Sequence, residues 1–381
     1  MGVGGMRIVY VLTSLGVGGA ERQALTLADR MVLRGHSVAL LILRPRLADE
    51  WPATIPVIHL DMKKTAFSAL RGWLRARQFL REFRPDLLHS HSFHANIFAR
   101  LLRLFRPSAK VISTVHNVYE GGRQRMLAYR LTDFLARLTT AVSQTAADRF
   151  VLLKAVPIRK CLVLPNGIDC AEFIHSPERR TLTRTAMDAG ESFIWLAAGR
   201  LVPAKDYPNL LHAFRQVRVA FPDAQLWIAG EPPEAKLIKT EDGGSEVVFG
   251  FASERGSLEQ VRLLGLRRDM PDLFDAADGF VLASAWEGMP LAVGEAMAME
   301  KPIVATDAGG TRELIGDAGI IVAPKDPNAL AAAMLDLMRQ TEEVRHALGQ
   351  AARARIAGQF SMDARAGEWE AVYRTVADTI V

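Results

Sequence analysis

The sequence has little cysteine and no long hydrophobic run. Only Cys161 and Cys170 occur among its 381 residues, which excludes a disulfide framework and leaves no plausible metal cluster built on thiols. No apolar stretch approaches the roughly 18 residues that a membrane-spanning helix needs. Near the N-terminus the apolar run Ile8–Leu12 is too short for the core of a secretory signal. We therefore expect a reduced, cytoplasmic protein.

Apolar residues make up 49% of the chain and recur as short runs between amphipathic helical segments. Runs without polar alternation are typical of parallel strands buried on both faces, and helices between them predict right-handed crossovers. The fold class that we expect is therefore α/β, with doubly wound, Rossmann-like sheets. The predicted strands are Arg7–Leu12, Ser37–Leu43, Val57–Leu60, Leu87–Ser90, Lys110–Val115, Leu138–Ser143, Cys161–Pro165, Phe193–Ala198, Gln225–Ala229, Val247–Phe249, Arg262–Leu264, Gly279–Ala283, Pro302–Thr306 and Ile320–Val322.

A chain of 381 residues is long enough for two such domains. A polar stretch that begins at Pro177 separates the two sets of predicted strands. We expect an N-terminal domain over residues 1–176 and a C-terminal domain over residues 177–360, followed by a C-terminal helix over residues 361–381 that crosses back to the first domain.

Basic residues are concentrated in the first half. Residues 1–170 contain 25 Lys and Arg against 11 Asp and Glu, a net charge of +14, whereas residues 171–381 contain 22 against 31, a net charge of −9. The segment Met62–Lys110 alone has a net charge of +9. This asymmetry predicts an anionic partner for the first domain. The sequence has no basic patch interleaved with aromatic residues, so we expect no nucleic acid.

The segment Ala66–Arg84 combines aromatic and basic side chains, among them Arg71, Trp73 and Arg75. Two interpretations stay open. One is a solvated crossover helix that rests one edge on its sheet. The other is a helix that lies on anionic lipid, because cations and aromatic rings both suit the headgroup region.

A glycine-rich turn, Gly16–Glu21, follows the first predicted strand and opens a helix that stops at Gly35. Free backbone N–H groups at such a helix start attract phosphate. A dinucleotide fold would need an acidic residue at the end of the second strand, but the sequence there is Leu43–Arg46, without a carboxylate. The turn, with Gly18 and Gly19, therefore favours a phosphate or sugar ligand other than NAD.

Two cations, Arg200 and Lys205, stand five residues apart just after a predicted strand of the second domain. Open sheets bind ligands at the carboxyl ends of their strands. Two cations there would neutralise a diphosphate and stabilise it as a leaving group. Considered alone, the pair also fits two solvated loop charges.

Two glutamates belong to a second loop and the helix that follows it. Glu287 lies in the loop Ser284–Pro290, and Glu295 lies in the helix, with Pro290 as its predicted first residue. The N–H groups of this turn are expected to face an anion or a sugar oxygen. Burying a carboxylate among small apolar residues is costly without a ligand or partner. We expect these acids to hold vicinal hydroxyls or to act as acid and base.

Together these motifs resemble glycosyltransferase family 4, from Val9 to about Phe360. The members of that family are retaining, nucleotide-sugar-dependent transferases, so the resemblance implies the GT-B fold, in which two Rossmann-like, doubly wound domains face a central cleft. The residues that carry it are Gly18-Gly19-Ala20-Glu21, Pro165-Asn166-Gly167-Ile168-Asp169, Gly199-Arg200-Leu201 with Lys205, Glu287 with Glu295, and Gly309-Gly310.

The resemblance also implies roles for individual residues. Arg200 and Lys205 would bind the donor diphosphate, Glu295 the nucleotide ribose and Glu287 the transferred sugar. His116 would approach that sugar and complete the catalytic set with Glu287, Arg200 and Lys205. The other donor contacts that it implies are Gly18, Gly19, Gly288, Met289, Pro290 and Leu291. The residues expected on an acceptor or membrane side are Arg71, Trp73, Arg75, His91 and Asn117.

Two loops depart from the family pattern. Asp206 stands after Lys205, where the family often has glycine, and Glu231–Pro233 follow Gly230, where Gly-Asp-Gly is usual. The sequence also has no Asp-x-Asp pair, which metal-dependent transferases normally need to hold a divalent ion. Cationic side chains and helix N-termini would supply that charge instead. We expect no metal and no cofactor, since the nucleotide sugar is a co-substrate.

Three histidines, His89, His91 and His94, cluster near the end of the fourth predicted strand. They suggest a zinc site at first sight. No cysteine or carboxylate completes such a site, so we expect a mixture of core and acceptor-side histidines.

The function that the resemblance implies is transfer of a hexose or N-acetylhexosamine from a nucleotide sugar, most simply a UDP-sugar, to a glycan or lipid-linked sugar in cell-surface polysaccharide or glycoconjugate assembly. The stretch Val118–Gly122 resembles members that extend sugars on polyprenyl diphosphate carriers. Such an acceptor would explain the basic first domain and would bring the protein to the inner face of an anionic membrane. Two alternatives stay open, a nucleotide-sugar 2-epimerase of the same fold and a non-catalytic nucleotide-sugar-binding protein.

Overall fold

The structure is a computed structural model that describes residues 4–16, 18–48, 50–230, 236–239, 245–249, 252–256 and 260–378. The chain forms two compact units. The first consists of Met1–Gly167 together with Met362–Val381, and the second of Ile168–Ser361. The chain thus leaves the first unit after Gly167, whereas the sequence expectation placed the change of domain at residue 177.

The first unit contains a seven-stranded sheet in the order β3-β2-β1-β4-β5-β6-β7, and every neighbouring pair is parallel. In the central strand, Ile8 pairs with Val38 on one side and Leu87 on the other. The buried parallel strands confirm the α/β prediction for this half. The strands are β1 (Arg7–Leu12), β2 (Ser37–Ile42), β3 (Val57–His59), β4 (Leu87–His91), β5 (Lys110–Val115), β6 (Leu138–Ala141) and β7 (Cys161–Val163).

Helices connect these strands as crossovers. Their apolar faces pack on the sheet, as in the cluster where Ala76 and Leu80 meet Val9 and Leu88. The helices of this part are α1 (Gly19–Leu33), α2 (Ala66–Phe83), α3 (Phe93–Leu102), α4 (Arg123–Thr132) and α5 (Gln144–Leu152).

The second unit contains a six-stranded parallel sheet in the order β13-β9-β8-β14-β15-β16 and a separate antiparallel sheet in the order β10-β11-β12. The strands are β8 (Ile194–Ala198), β9 (Gln225–Ala229), β10 (Lys236–Lys239), β11 (Ser245–Phe249), β12 (Ala252–Gly256), β13 (Val261–Gly265), β14 (Gly279–Leu282), β15 (Ile303–Thr306) and β16 (Ile320–Val322). The helices are α6 (Pro177–Ala186), α7 (Tyr207–Ala220), α8 (Met270–Ala276), α9 (Leu291–Ala298), α10 (Thr311–Ile315), α11 (Pro327–Arg339) and α12 (Glu342–Gln359).

The prediction that Val247–Phe249 belongs to the parallel alternation was wrong. These residues lie in β11, where Phe249 pairs with Ala252 of the antiparallel neighbour. Parallel neighbours need a crossover of a dozen or more residues, so a connection this short joins only antiparallel strands.

The last helix, α13 (Met362–Asp378), belongs to the first unit. Its buried side chains Trp369 and Tyr373 join the core formed by α1 and β1. Within the described residues, no helix is both long enough and apolar enough to span a membrane.

Candidate active site

Three loops of the second unit leave the carboxyl ends of neighbouring strands β8, β14 and β15. Because parallel strands end at one edge of a sheet, these loops lie where open sheets bind ligands. Two backbone contacts join them. Ala285 N donates to Ala204 O at 2.8 Å, and Gly310 N donates to Gly288 O at 2.8 Å.

Lys205 and Glu287 form the charged centre of these loops. Lys205 Nζ lies 2.5 Å from Glu287 Oε1, and Ser284 Oγ donates to the same oxygen at 2.6 Å. Glu287 is only 8% exposed, so the lysine and the hydroxyl offset the cost of removing its carboxylate from water. Burial, with Glu287 nearby, raises the pKa of Tyr207 well above its usual range. Tyr207 therefore stays protonated and donates to Gly199 O at 2.8 Å.

Arg200 differs from Lys205. Its side chain is exposed, and it makes no hydrogen bond or ion pair with any described residue. Its charge is therefore available to an anion. The structure also explains the departure at Asp206, whose φ of 46° and ψ of 49° lie in the left-handed region. Aspartate tolerates that region better than most residues, so the loop keeps its backbone shape without a glycine.

The segment that carries Glu287 is held by the loop after β15. Thr306 Oγ1 donates to Ser284 O at 2.7 Å. Gly309 has a φ of +58°, and a Cβ built on it would lie 2.0 Å from Glu287 O. Only glycine allows this close backbone approach. The sequence signalled this position only as a glycine pair after a strand, and it gave no sign of the supporting role of Ser284 or Thr306.

Gly309→Ala is expected to lower the free energy of unfolding by about 3 kcal/mol or more, because the methyl group meets a backbone carbonyl in addition to the strain of a positive φ. It should also reduce any activity that depends on Glu287. A matched control is Gly190→Ala, since Gly190 has a φ of +54° and open space around its Cβ, so that only about 1 kcal/mol of strain is expected. Denaturant unfolding of both variants measures the difference, and equal losses would show that the close approach to Glu287 is unimportant.

The helix after Glu287 begins one residue later than predicted. Pro290 has a ψ of 105° and precedes the helix, whose first residue is Leu291. The expectation that Pro290 is the first helical residue was therefore wrong, because its backbone is extended.

Met289 and Glu295 are buried, at 5% and 8% exposure. Glu231–Pro233, the other unusual loop in the sequence, lies outside the described residues.

In the first unit, His116 follows β5 and contacts the end of β4. His116 Nε2 lies 2.9 Å from Nδ1 of His91. Glu120 Oε1 accepts a hydrogen bond from the backbone N–H of His116 at 3.0 Å, and Glu120 Oε2 accepts one from Tyr129 at 2.6 Å. Burial lowers the pKa of His116 to about 4 and raises that of Glu120 to about 7. His116 is therefore neutral at physiological pH.

The rings of His89 and His91 lie side by side, with centroids 4.1 Å apart, but they have different hydrogen-bond partners. His89 is buried, with Nδ1 2.6 Å from the Tyr373 hydroxyl and Nε2 2.7 Å from Thr114 Oγ1. His91 is only 2% exposed and therefore does not lie on a surface, whereas the sequence placed it on an acceptor or membrane side. Its ring contacts His116 instead. Within the part of the chain that the structure describes, no three His, Cys, Asp or Glu side chains are grouped to hold a metal ion.

The glycine turn of the first unit lies at the start of α1. Gly18 is the residue before the helix, and Gly19 is its first residue. A Cβ on Gly18 would lie 2.3 Å from Glu21 Oε2, so the carboxylate of Glu21 fills the space beside the turn.

Asn117, the remaining acceptor-side candidate near His116, accepts a hydrogen bond from Tyr119 N at 3.1 Å through Oδ1.

Helix α2 turns its tryptophan towards the core. The ring of Trp73 packs on Phe98 and Phe105, with centroids 4.5 Å and 5.7 Å away. Arg75 pairs with Asp61, whereas Arg71 is exposed. The ring of Trp73 therefore packs inwards, whereas the sequence placed it on an acceptor or membrane side. The large apolar side chains that α2 exposes are Phe67, Leu70 and Leu74.

Two family models match the chain. One, described as Glycosyltransferase Family 4, matches residues 17–172, and the other, described as Glycosyl transferases group 1, matches residues 192–340. Among curated proteins, the UDP-Gal:alpha-D-GlcNAc-diphosphoundecaprenol alpha-1,3-galactosyltransferase of Escherichia coli is 25% identical over 317 residues, which cover 80% of this chain and 79% of that protein.

Solved structures share the fold over nearly the whole chain. Alr3699/HepE of Anabaena, solved in complex with UDP-glucose, has a TM-score of 0.80 and 21% identity, and the match covers 97% of this chain and all of that one. A glycosyltransferase from Rickettsia africae has a TM-score of 0.78 and 18% identity, with 99% of this chain covered and all of that one. The solved structures show that the chain has the GT-B fold, and the two family models show that it belongs to the group 1, family 4 glycosyltransferases.

Proposed function

We propose that this glycosyltransferase moves a hexose or N-acetylhexosamine from a UDP-sugar to a glycan or lipid-linked sugar, with retention of configuration. The observation that carries the proposal is the pair of loops after β8 and β14. The first of these loops carries the exposed Arg200, whose side chain has no partner among the described residues, and Lys205, which pairs with the buried Glu287 of the second loop. Such a site suits a diphosphate, since guanidinium and ammonium groups form strong charge-assisted hydrogen bonds with phosphate oxygens. UDP-Gal in the name of the Escherichia coli relative supports a uridine donor.

The proposed reaction needs no protein base. The bond between the anomeric carbon and the diphosphate oxygen breaks, and its electron pair goes to the diphosphate. The acceptor hydroxyl oxygen bonds to the same carbon on the same face, and its proton passes to the departing diphosphate oxygen. Arg200 and Lys205 would stabilise the negative charge that grows there. Glu295 would hold the ribose, Glu287 and the backbone of residues 288–291 the sugar, and Gly18 and Gly19 the donor phosphates.

The donor is tested by measuring melting temperatures of the protein with UDP-, GDP- and ADP-linked sugars in excess EDTA. A ligand that binds only the folded state at 100 times its Kd stabilises it by about 2.7 kcal/mol. We expect a UDP-sugar to raise the melting temperature and turnover to persist in EDTA. No shift with any nucleotide sugar would refute the proposal, and activity lost in EDTA but restored by magnesium would refute metal independence. A 2-epimer formed from the donor alone would favour the epimerase.

For the acceptor, we propose a polyprenyl-diphosphate-linked sugar, reached by contact of α2 with an anionic membrane. The net charge of +14 on residues 1–170 supports an anionic surface as partner. Phe67, Leu70 and Leu74 are 78%, 60% and 55% exposed. They recur at helical spacing beside the exposed Arg71, as in helices that lie in the headgroup region. The acceptor in the name of the Escherichia coli relative is also a diphosphate-linked lipid.

Sedimentation with vesicles tests this contact. The wild type is expected to bind vesicles rich in phosphatidylglycerol and not vesicles of phosphatidylcholine alone. The double variant Phe67→Asp/Leu74→Asp should lose binding, because it places two anions on the apolar stripe. Val219→Asp is the control, since Val219 is 85% exposed on α7 of the second unit. Equal binding by both variants, or no binding by the wild type at physiological salt, would exclude α2 as the membrane contact.

A further inference from the structure

The rings of His91 and His116 are in contact, and neighbouring rings hold His91 in place. His91 is the last residue of β4 and His116 directly follows β5, and the two strands are neighbours in the sheet. His91 stacks on Tyr10, with centroids 5.8 Å apart and an interplanar angle of 13°, and it lies 4.1 Å from the ring of His89. The rings of Tyr10 on β1 and His89 on β4 therefore hold His91. Its Nδ1 lies 2.9 Å from His116 Nε2, a hydrogen-bonding distance.

The contact between His91 Nδ1 and His116 Nε2 holds a single proton, which belongs to one of the two rings. Burial lowers the pKa of His91 well below its usual range and that of His116 to about 4, so both rings are neutral at physiological pH. A neutral imidazole has one N–H and one lone pair. Either His91 donates from Nδ1 to His116, or His116 donates from Nε2 to His91.

The second nitrogen of His91 decides between these two arrangements. Nε2 of His91 is buried and has no hydrogen-bond partner among the described residues. If His116 donated, the proton of His91 would lie on Nε2 as a buried N–H without an acceptor. If His91 donates, Nε2 keeps only a lone pair without a donor. Unpaired buried N–H groups are the rarer case, because the full desolvation cost of a donor is then unrecovered.

We propose that His91 is a positioning residue that donates from Nδ1 to His116 and thereby fixes His116 in the tautomer with its proton on Nδ1. The proposal rests on the proposed function and on the expectation, implied by the family resemblance, that His116 approaches the transferred sugar. His116 is only partly buried, and its Nδ1 has no hydrogen bond to a described residue. In this tautomer His116 offers an N–H to a substrate oxygen, so it acts as a hydrogen-bond donor and not as a base.

Three titratable neighbours of the pair, His89, Tyr10 and Glu120, form hydrogen bonds with groups other than these two rings. His89 is buried between Tyr373 and Thr114, and burial lowers its pKa well below the usual range. Burial raises the pKa of Tyr10 above its usual range, so the stacked ring stays protonated. Glu120, whose pKa is about 7, accepts from the backbone N–H of His116 rather than from its ring. We therefore expect the same tautomer from about pH 6 to pH 8.

The direct test is nitrogen NMR of the full chain labelled with 15N-histidine, with the His116 signals assigned by their absence in His116→Gln. We expect Nδ1 of His116 to be protonated and Nε2 to be the bare nitrogen. A protonated Nε2 would overturn the proposal. This readout does not depend on catalysis.

Two variants of His91 add a functional readout. His91→Phe keeps a ring but loses the donor, and we expect kcat to fall about tenfold with a smaller change in KM, as for one lost hydrogen bond. His91→Asn can place an amide N–H near the position of Nδ1, and it should recover most of that loss and restore the tautomer. If Asn and Phe behave alike, His91 has only a packing role and the proposal is wrong.

Binding of the donor separates this proposal from the proposed function. If a UDP-sugar stabilises the wild type and His116 carries its proton on Nε2, the proposed function stands and the role of His91 is refuted. If no nucleotide sugar stabilises the wild type, the proposed function fails first, whatever the tautomer. The shift with UDP-sugar should persist in His91→Phe, which also shows that this variant folds.

Discussion

Arg200→Ala is expected to lower kcat/KM by about two to three orders of magnitude, as removal of a preorganised contact to developing charge does, while the melting temperature stays close to that of the wild type. Arg200 is exposed, and its side chain has no partner among the described residues. Its removal therefore breaks no ion pair and leaves no buried charge. Steady-state kinetics with the nucleotide sugar, together with calorimetry, measure both effects.

Arg339→Ala is the matched control for Arg200→Ala. Arg339 is an exposed arginine of the same unit and the last residue of α11. We expect its replacement to change kcat/KM by less than about twofold, as is usual for surface substitutions. If Arg200→Ala lowers activity no more than Arg339→Ala, the assignment of the donor diphosphate to this loop is wrong.

Lys205→Met is expected to lose stability as well as activity. Its Nζ lies 2.5 Å from Glu287 Oε1, and Glu287 is only 8% exposed. Methionine fills a similar volume but leaves the buried carboxylate without this cation. Removing one partner of a buried ion pair costs about 3–5 kcal/mol, and loss of the diphosphate contact should lower kcat by about two orders of magnitude. Denaturant unfolding and kinetics on the same preparation separate the two losses.

The double variant Lys205→Met/Glu287→Gln distinguishes the structural part of this effect from the chemical part. Removing both charges should recover most of the stability, because no uncompensated carboxylate remains, and the coupling energy follows from the double-mutant cycle. Activity should not recover, since both side chains are proposed to contact the donor. A Lys205→Met variant that melts with the wild type would show that the ion pair does not stabilise the loops. A double variant that regains activity would remove Lys205 and Glu287 from the donor site.

The strands were predictable because their apolar runs are continuous. Such a run indicates a strand buried on both faces, whichever strands it pairs with. The loops after β8 and β14 were predictable for the same reason, since ligand sites follow strand ends in open sheets. The antiparallel sheet was not predictable, because Val247–Phe249 of β11 also form a short apolar run. Periodicity alone carries no information on which strand a run pairs with.

The supporting contacts of the site depend on residues far apart in the chain. Gly309 approaches Glu287 from another loop, and the sequence showed only a glycine pair. The ring of His89 is fixed by Tyr373, 284 residues later, so its burial could not be read from its own segment. Trp73 could not be placed for a different reason. Aromatic and basic residues are mixed around α2, so the sequence alone does not show which side of the helix packs on the sheet. The contact of Trp73 with Phe98 identifies that side.

Transfer of labelled sugar in excess EDTA tests most directly whether the chain is a retaining, metal-independent transferase. The protein is incubated with the UDP-sugar selected by thermal stabilisation and a polyprenyl-diphosphate-linked sugar, and the lipid fraction is analysed by NMR. We predict that the label appears there in the anomeric configuration of the donor, about 100-fold more slowly with Arg200→Ala. Transfer with inverted configuration, or label that remains in the nucleotide fraction as an epimerised sugar, would contradict this prediction.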